Sequence, residues 1–354
     1  MKAQMKAAVF VGAVAVAAAR RLMGGRDPGD GVALVTGGSR GLGLLIAREL
    51  ASRGYRLAIC ARDSGELAAA ESDLAARGGD VLAVRCDVTD QRQVDEMIRS
   101  VVARFGRLDV LVNNAGIIQV APLAALTVDD FAQAQDVMFW GTLYPSLAAL
   151  PHLREHRQGH IINITSIGGK ISVPHLLPYS CAKFAAVGLS EGLRAELAGT
   201  GVTVTTVVPG LMRTGSHLRA YFKGQRRKEF AWFGLAASLP VLSMDAERAA
   251  RRIVDAGTAG QVELVLTPAA KFAVRAHGLF PAATVRALGA VNRLLPKAAG
   301  QAGPAVTGSV ASAELDSSLL TAATTLGRSA ADRFHQHVAP ADPSSGSRHV
   351  GAGR

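Results

Sequence analysis

Tyr179 and Lys183 stand four residues apart in the run Tyr179-Ser-Cys-Ala-Lys183, with Ser166 thirteen residues upstream. On a helix that spacing places both side chains on one face, so an ammonium group lies beside a phenol. A free tyrosine titrates near about pH 10. A neighbouring cation lowers that value and brings it toward the range useful for acid–base catalysis. A phenol that gives or takes a proton in this way suits redox chemistry on a carbonyl or an alcohol.

A second constellation opens the chain's regular part. Leu34-Val-Thr-Gly-Gly-Ser-Arg-Gly-Leu-Gly43 reads as a strand running straight into a helix, whose first turn offers unpaired N–H groups to a pyrophosphate. Gly37, Gly41 and Gly43 permit the tight turn and a close approach, and their place in a first βαβ unit is the context a dinucleotide site requires. Ser39 and Arg40 belong to the same loop. The second strand ends in Leu57-Ala-Ile-Cys-Ala-Arg62, where an arginine accommodates the 2′-phosphate of NADP and a carboxylate would instead bind the ribose of NAD. Arg62 and Arg40 therefore point to NADP(H) as the preferred cofactor, while Asp63 keeps NAD(H) open.

These groups need a scaffold, and the pattern from Val32 onward supplies one. Short β runs at 32–36, 56–60, 81–86, 108–112, 159–165, 202–208 and 262–266 alternate with helical stretches at 41–53, 64–77, 91–105, 127–150, 178–199 and 245–257. That alternation predicts an α/β fold, a doubly wound parallel sheet of about seven strands with helices on both faces and the ligand at the strands' carboxyl ends. Four regions follow: an apolar and basic segment at 1–29, a Rossmann-like catalytic domain at 30–266, a basic amphipathic extension at 267–298 and a Ser/Ala/Gly/Pro-rich tail at 299–354. Such a composition predicts a mostly disordered tail, with a marginal helix at 313–337 as an option.

Composition narrows the function classes. Cys60, Cys86 and Cys181 are few, widely spaced and odd in number, which supports neither a disulfide framework nor a zinc site and places the chain in a reducing, cytoplasmic setting. The formal net charge is +11, yet residues 1–26, 219–228 and 268–300 together carry most of the excess as basic residues alternating with Val, Leu, Phe and Trp. No nucleic-acid reader is indicated, and contact with a membrane surface fits better. The apolar run 7–19 is short for a span; an anchor or interfacial helix ranks ahead of a cleaved signal peptide. Residues 211–244, with Tyr221, Phe222, Phe230, Trp232 and Phe233, form a long insertion of the kind that acts as a lid.

Taken together these motifs resemble the short-chain dehydrogenase/reductase family, in its single-domain branch, over residues 30–266. The resemblance adds Cys86-Asp87-Val88 after the third strand, Asn113-Asn-Ala-Gly116 after the fourth, Asn163-Ile-Thr-Ser166 on the fifth and Pro209-Gly-Leu-Met-Arg-Thr214 after the sixth. It implies that Asp87 and Val88 face the adenine, that Asn114, Ala115 and Gly116 support the cofactor and sheet, and that Pro209, Gly210 and Thr214 flank the nicotinamide. It further implies that Ser166 holds the substrate oxygen, Tyr179 transfers the proton, and Lys183 binds the nicotinamide ribose and favours the tyrosinate. Met138 departs from the pattern, because the family usually places there an asparagine of a proton relay and a thioether cannot replace that amide's hydrogen bonds. Backbone and water then complete the relay, or turnover is slow or lost.

The expectation is an oxidoreductase interconverting a ketone or aldehyde with an alcohol on a lipophilic small molecule, with a homo-oligomer left open. A nucleotide-sensing or scaffold protein on the same fold is the alternative that Met138 suggests. Sugar-nucleotide epimerisation is disfavoured by the glycine spacing of the first loop.

Overall fold

The computed structural model describes residues 31–156, 158–239, 243–297, 304–314 and 324–336. Its centre is one seven-stranded parallel sheet built from β1 (Val32–Thr36), β2 (Arg56–Ala61), β3 (Val81–Arg85), β4 (Val110–Asn113), β5 (His160–Ile164), β6 (Thr203–Val208) and β7 (Glu263–Val265), in the spatial order 3-2-1-4-5-6-7. β1 lies in the middle, pairing Ala33 with Leu57 on one side and with Val110 on the other. All five of its residues are buried, as expected of a parallel strand covered on both faces. Because side chains alternate along a strand, Ala33 and Val35 enter one core while Val32 and Leu34 enter the other.

The helices that cover the two faces are α1 (Gly41–Ser52), α2 (Ser64–Ala76), α3 (Gln91–Phe105), α4 (Val128–Gln135), α5 (Gly141–Glu155), α6 (Leu177–Glu196), α7 (Arg226–Ser238) and α8 (Ala246–Thr258). α1 and α8 bring Leu44, Leu50, Ile253 and Val254 to the first core; α3 and α5 bring Val94, Met97, Val101 and Leu153 to the second. Asp63, Asp90 and Asp245 each accept backbone N–H groups at the start of α2, α3 and α8, satisfying donors that a helix cannot pair internally. Strand and helix bounds fall close to those expected from the pattern. The main difference is the stretch 127–150, which divides into α4, a π-helical turn at Asp136–Trp140 and α5. Pro145 supplies no N–H for the carbonyl one turn back, and Gly141 lies so near Val88 that a Cβ there would be 2.7 Å from Cγ2.

The insertion at 211–244 is a packed layer. Phe222, Phe230 and Phe233 are buried and join Val120, Leu176 and Ala311 in a third apolar cluster. Two further helices, α9 (Pro268–Leu279) and α10 (Pro281–Asn292), meet at Pro281, as the sequence predicts. Within 299–354, expected to be mostly disordered, residues 304–314 and 324–336 pack against the body: Val306–Thr307 pairs with Tyr221–Phe222, α11 spans Gly308–Ala313, and α12 spans Thr325–Arg333. Ala311 and Ala331 are fully buried and Phe334 is 3% exposed; a tail rich in small residues lies close against backbone, which composition alone does not reveal. The 7–19 run lies outside the described residues.

The β1–α1 turn is among the tightest contacts in this frame. A Cβ on Gly43 would lie 2.1 Å from the Gly37 carbonyl oxygen and 2.5 Å from the Asn114 amide nitrogen. Gly43→Ala is therefore expected to destabilise the protein by roughly 1–3 kcal/mol through overpacking, measured by urea unfolding without nucleotide. An unchanged midpoint would show that the turn gives way freely.

Candidate active site

A cavity of about 1330 Å³ lies along the carboxyl ends of the strands. Its walls carry Gly37, Ser39, Arg40, Gly43, Arg62, Asp87, Val88, Asn114, Ala115, Gly116, Ser166, Tyr179, Lys183, Pro209, Gly210 and Thr214. These residues, all singled out from the sequence, thus share one space. Gly41 is absent from the wall because the tail covers it: its N–H donates to the Phe334 carbonyl at 2.8 Å, and a Cβ there would lie 2.2 Å from the Gln336 amide nitrogen.

The nucleotide loop is held from beside it. Asn114 donates from its amide to the carbonyls of Thr36 and Gly37 at 3.0 and 3.1 Å, while the Thr36 hydroxyl accepts the backbone N–H groups of Asn114 and Ala115. Asn114 thus reads as a support of the loop. Asp63, the carboxylate next to Arg62, is engaged as the cap of α2, accepting the Glu66 N–H at 2.8 Å. Glu66 itself pairs with Arg40 and, at 2.7 Å, with Arg219. Sequence reasoning missed Glu66 and Arg219 as site residues, since the lid and α2 meet only in three dimensions. Asp87 accepts both the backbone N–H and the hydroxyl of Thr89.

The grouping of Ser166, Tyr179 and Lys183 depends on two glycines. β5 ends at Ile164, and the following 3₁₀ turn Ile167–Gly169 passes under α6. A Cβ on Gly169 would stand 2.6 Å from the Lys183 carbonyl oxygen, and one on Gly168 would stand 3.0 Å from the Tyr179 ring. Their absence lets α6 approach closely enough for Ser166 to hydrogen-bond Tyr179. Ser166 Oγ also accepts the Gly168 N–H at 3.0 Å. Lys183 is 5% exposed; its Nζ donates to the Ile164 carbonyl at 2.8 Å and lies 5.9 Å from the centre of the Tyr179 ring.

Burial decides the protonation of this pair. Desolvation pushes the Tyr179 phenol above its ordinary value, opposed by the Ser166 hydrogen bond. The lowering expected from Lys183 is not the net effect, because the ammonium is directed to Ile164. The same desolvation lowers Lys183 to about 8, since burial disfavours the charged form.

Met138 is 1% exposed and packs with Val137, Ala182, Ile117 and Tyr179. Its side chain fills an apolar position beside the phenol and offers no donor. Farther out, Trp232 and Phe233 of α7, Leu176, and Ala270 and Ala273 of α9 give the cavity an apolar wall. Behind it, Glu229 is fully buried and accepts from Trp232 Nε1 at 2.7 Å, with His175 Nδ1 at 2.9 Å. This joins the lid to the segment leading into Tyr179. Thr267 bounds the cavity at φ 80°, in a region costly for a β-branched residue.

Lys183 makes stability depend on pH. Its folded value of about 8 lies below the ordinary 10.5, so between those values the unfolded chain binds more protons and stability rises with pH. As pH falls to 8 that contribution is lost. Lys183→Met removes the ion, and its stabilising effect on the cofactor-free protein should be larger at pH 7.5 than at pH 9.5, by on the order of 2 kcal/mol. Denaturant unfolding at the two pH values checks this, and equal effects would contradict the burial of a titrating ammonium.

The geometry agrees with the chain's relatives. The short chain dehydrogenase family profile matches residues 31–221. A putative ketoacyl reductase of the granaticin polyketide synthase from Streptomyces violaceoruber is 38% identical over 207 residues, which cover 54% of this chain and 72% of that protein. An oxidoreductase from Botryotinia fuckeliana is 39% identical over 182 residues, covering 51% of this chain and 65% of that protein, so the chain spans about two thirds of that relative's length. A short chain dehydrogenase/reductase from Burkholderia phymatum, solved in complex with NAD, superposes with a TM-score of 0.65 at 25% identity, covering 72% of this chain and 95% of that one. A single-substitution variant of the actinorhodin polyketide ketoreductase, solved with NADPH, gives 0.60 at 29% identity, covering 68% and 96%. A seven-stranded Rossmann-like sheet, a glycine loop opening its first helix and a Ser–Tyr–Lys group at its carboxyl edge accompany that match, and the chain belongs to the short-chain dehydrogenase/reductase family of oxidoreductases.

Proposed function

We propose that this chain is an NADP(H)-preferring oxidoreductase that interconverts a ketone or aldehyde with an alcohol on a lipophilic substrate. The observation that carries this reading is the single cavity joining the α1 N-terminus to Ser166, Tyr179 and Lys183. The residues present fit a dinucleotide. Leu42 and Gly43 line the cavity in the first turn of α1, where N–H groups lack intrahelical acceptors, and that turn contains no acidic residue, so its positive end is free to meet a diphosphate.

Arg40 and Arg62 lie at the adenosine end, and charge-assisted pairing with a 2′-phosphate supports NADP(H). Asp63 also lines the cavity while its Oδ1 caps α2, so NAD(H) remains an open cofactor beside the preferred NADP(H). A nicotinamide held there would supply or take up the hydride at the substrate's carbonyl carbon. The Ser166 hydroxyl donates to the substrate oxygen, and Tyr179 gives that oxygen a proton in reduction or takes it in oxidation. A phenol raised by burial holds its proton at neutral pH, the form a reduction uses. Lys183, charged below about 8, binds the ribose hydroxyls and stabilises the tyrosinate left after proton transfer.

Apolar walls from Leu176, Trp232, Phe233 and Ala273 support a lipophilic substrate. Contact with a membrane surface belongs to the same reading. Phe272, Leu279, Phe280 and Leu294 are 76%, 74%, 65% and 87% exposed, α10 buries no residue, and the basic residues of this region have no acidic neighbour in sequence. An apolar helix pair rimmed by cations is what an anionic lipid surface attracts. The inner side of α9 lines the cavity, so a lipid layer would lie next to the substrate's space. Among the described residues no helix is long and apolar enough to cross a membrane. The buried Met138 keeps a second reading in play, a nucleotide-binding protein with weak or absent turnover.

Tyr179→Phe should lower turnover by about 10²–10⁴-fold, the range of a lost acid–base group, with NADPH affinity retained, as followed by absorbance of the reduced nicotinamide and by fluorescence titration. NADPH should bind more tightly than NADH, and Arg62→Asp should flatten or reverse that order. Tight nucleotide binding without turnover across a broad panel of carbonyls and alcohols would select the second reading.

Lipid contact is tested separately. Full-length protein should pellet with anionic vesicles and be only partly released by salt, because screening weakens the charge term and leaves the apolar one. Phe272→Ser with Phe280→Ser should reduce pelleting while nucleotide affinity stays intact. Recovery of the unaltered protein in the supernatant at low salt would assign this face to another contact.

A further inference from the structure

The family match ends at residue 221, yet a segment about a hundred residues later reaches the nucleotide loop. We infer that Thr324–Gln336 is a built-in wall of the nucleotide cavity, with Gln336 a direct ligand to the diphosphate–ribose part of the dinucleotide and Arg219 its charged neighbour. The inference rests on reading that cavity as a dinucleotide site.

Four observations converge. First, the segment is fixed by packing: Ala331 is fully buried, Phe334 is 3% exposed, and Phe334 belongs to the same apolar core as α1. A Cβ on Gly215 would lie 2.5 Å from Ala331, and one on Gly327 would lie 2.6 Å from the Ser238 hydroxyl. Second, the Phe334 carbonyl takes the Gly41 N–H at 2.8 Å. One unpaired donor of the α1 N-terminus is thereby capped by the tail, while Leu42 and Gly43 still face the cavity. Third, Gln336 is 6% exposed, lines the cavity, and its Oε1 has no hydrogen-bond partner among the described residues. A buried carboxamide oxygen left unpaired is destabilising, and a ligand in the cavity is positioned to remove that deficit. Fourth, the Gln336 backbone carbonyl accepts from Arg219 Nε at 3.1 Å while Arg219 Nη2 contacts Glu66 at 2.7 Å. The tail thus holds a guanidinium at the cavity wall beside Arg40.

The chemistry of these groups selects the part of the ligand. A carboxamide carries a donor and an acceptor on one plane, and the diphosphate–ribose junction offers both partners: anionic oxygens that only accept, and hydroxyls that donate. Guanidinium groups pair with phosphate oxygens through charge-assisted hydrogen bonds. Neither group can serve the carbonyl chemistry, which belongs to Ser166 and Tyr179. The reach of the tail to Gly41 sets it at the phosphate loop.

The test uses the full-length protein and NADPH, with ADP-ribose as a probe lacking the nicotinamide. Gln336→Ala should weaken both by roughly ten-fold, the loss expected for a hydrogen bond to a charged group, and should not lower the melting temperature of the nucleotide-free protein, because it removes an unpaired buried oxygen. Gln336→Glu keeps the shape and sets a carboxylate beside the diphosphate; it should weaken binding further, with part of the loss recovered in high salt. Hydrogen exchange in residues 330–336 should slow when NADPH binds. Unaltered NADPH affinity in Gln336→Ala, tighter binding, or a lowered melting temperature with unchanged affinity would overturn the inference and leave the tail as packing or as an occluding segment. Failure of the unaltered protein to bind either nucleotide would sink the cavity reading itself, a separate result.

Discussion

Seven strands that run the same way leave seven carboxyl ends along one edge, and every group of the site hangs from that edge. Thr36 and the glycine loop follow β1, Cys86 and Asp87 follow β3, Asn114 follows β4, Ser166 follows β5, Pro209 follows β6 and Thr267 follows β7. Parallel strands can be joined only by crossovers, so helices cover both faces and ligands are left the edge. The hydrogen-bonded order of the strands thus fixes which loops are neighbours.

Buried polar contacts turn that edge from a rough gathering into a fixed geometry. Asn113 donates to Ser146 and to Asn163, Asn163 donates to Ser190, and Ser190 shares a hydrogen bond with Thr206, all within 2.7–3.0 Å. The chain of amides and hydroxyls crosses β4, β5 and β6 and ties them to α5 and α6. Ser166 lies just past β5 and Lys183 lies on α6, the two elements that Asn163 and Ser190 join. A buried hydrogen-bonded network of this kind rigidifies its surroundings, with Asn113 Oδ1 the one member atom that has no partner among the described residues. The same dryness explains why desolvation outweighs other influences on both Tyr179 and Lys183.

What the sequence made legible follows from which interactions are local. Strands read correctly because β1 and β4 open on short apolar runs, and helices because α3 and α8 carry a strong period. The glycine loop, Ser166, Tyr179 and Lys183 were visible because each sits at a fixed offset within one motif. Glu66, Arg219 and Gln336 were not, since they meet across 153 and 117 residues of chain and carry no motif. The packing of the tail's described parts, which include a helix at Thr325–Arg333 within the optional 313–337 stretch, was hard to read for a related reason. The tail's alanines and glycines resemble a solvated linker by composition, but they permit close backbone approach, as at Ala331 against Gly215. The helix break near Met138 was hidden because Gly141 acts through Val88, which is distant in sequence.

Arg219 gives these late segments a physical meaning beyond coverage. It stands on the insertion that also carries Trp232 and Phe233, touches Glu66 on α2 at the nucleotide end, and is held by the Gln336 carbonyl. Lid, nucleotide loop and tail therefore share one hydrogen-bonded node. A shift of the lid large enough to admit a bulky substrate must either carry Arg219 away from Glu66 or bend the chain between Arg219 and α7. The intervening residues favour the second course: Tyr221–Phe222 is locked between two other strands, and Gly224, at φ 74°, is the residue there whose backbone moves most freely. Movement of α7 confined beyond Gly224 would leave the guanidinium in place, so the contacts of Arg219 with Glu66 and Gln336 would persist while the apolar wall of α7 shifted.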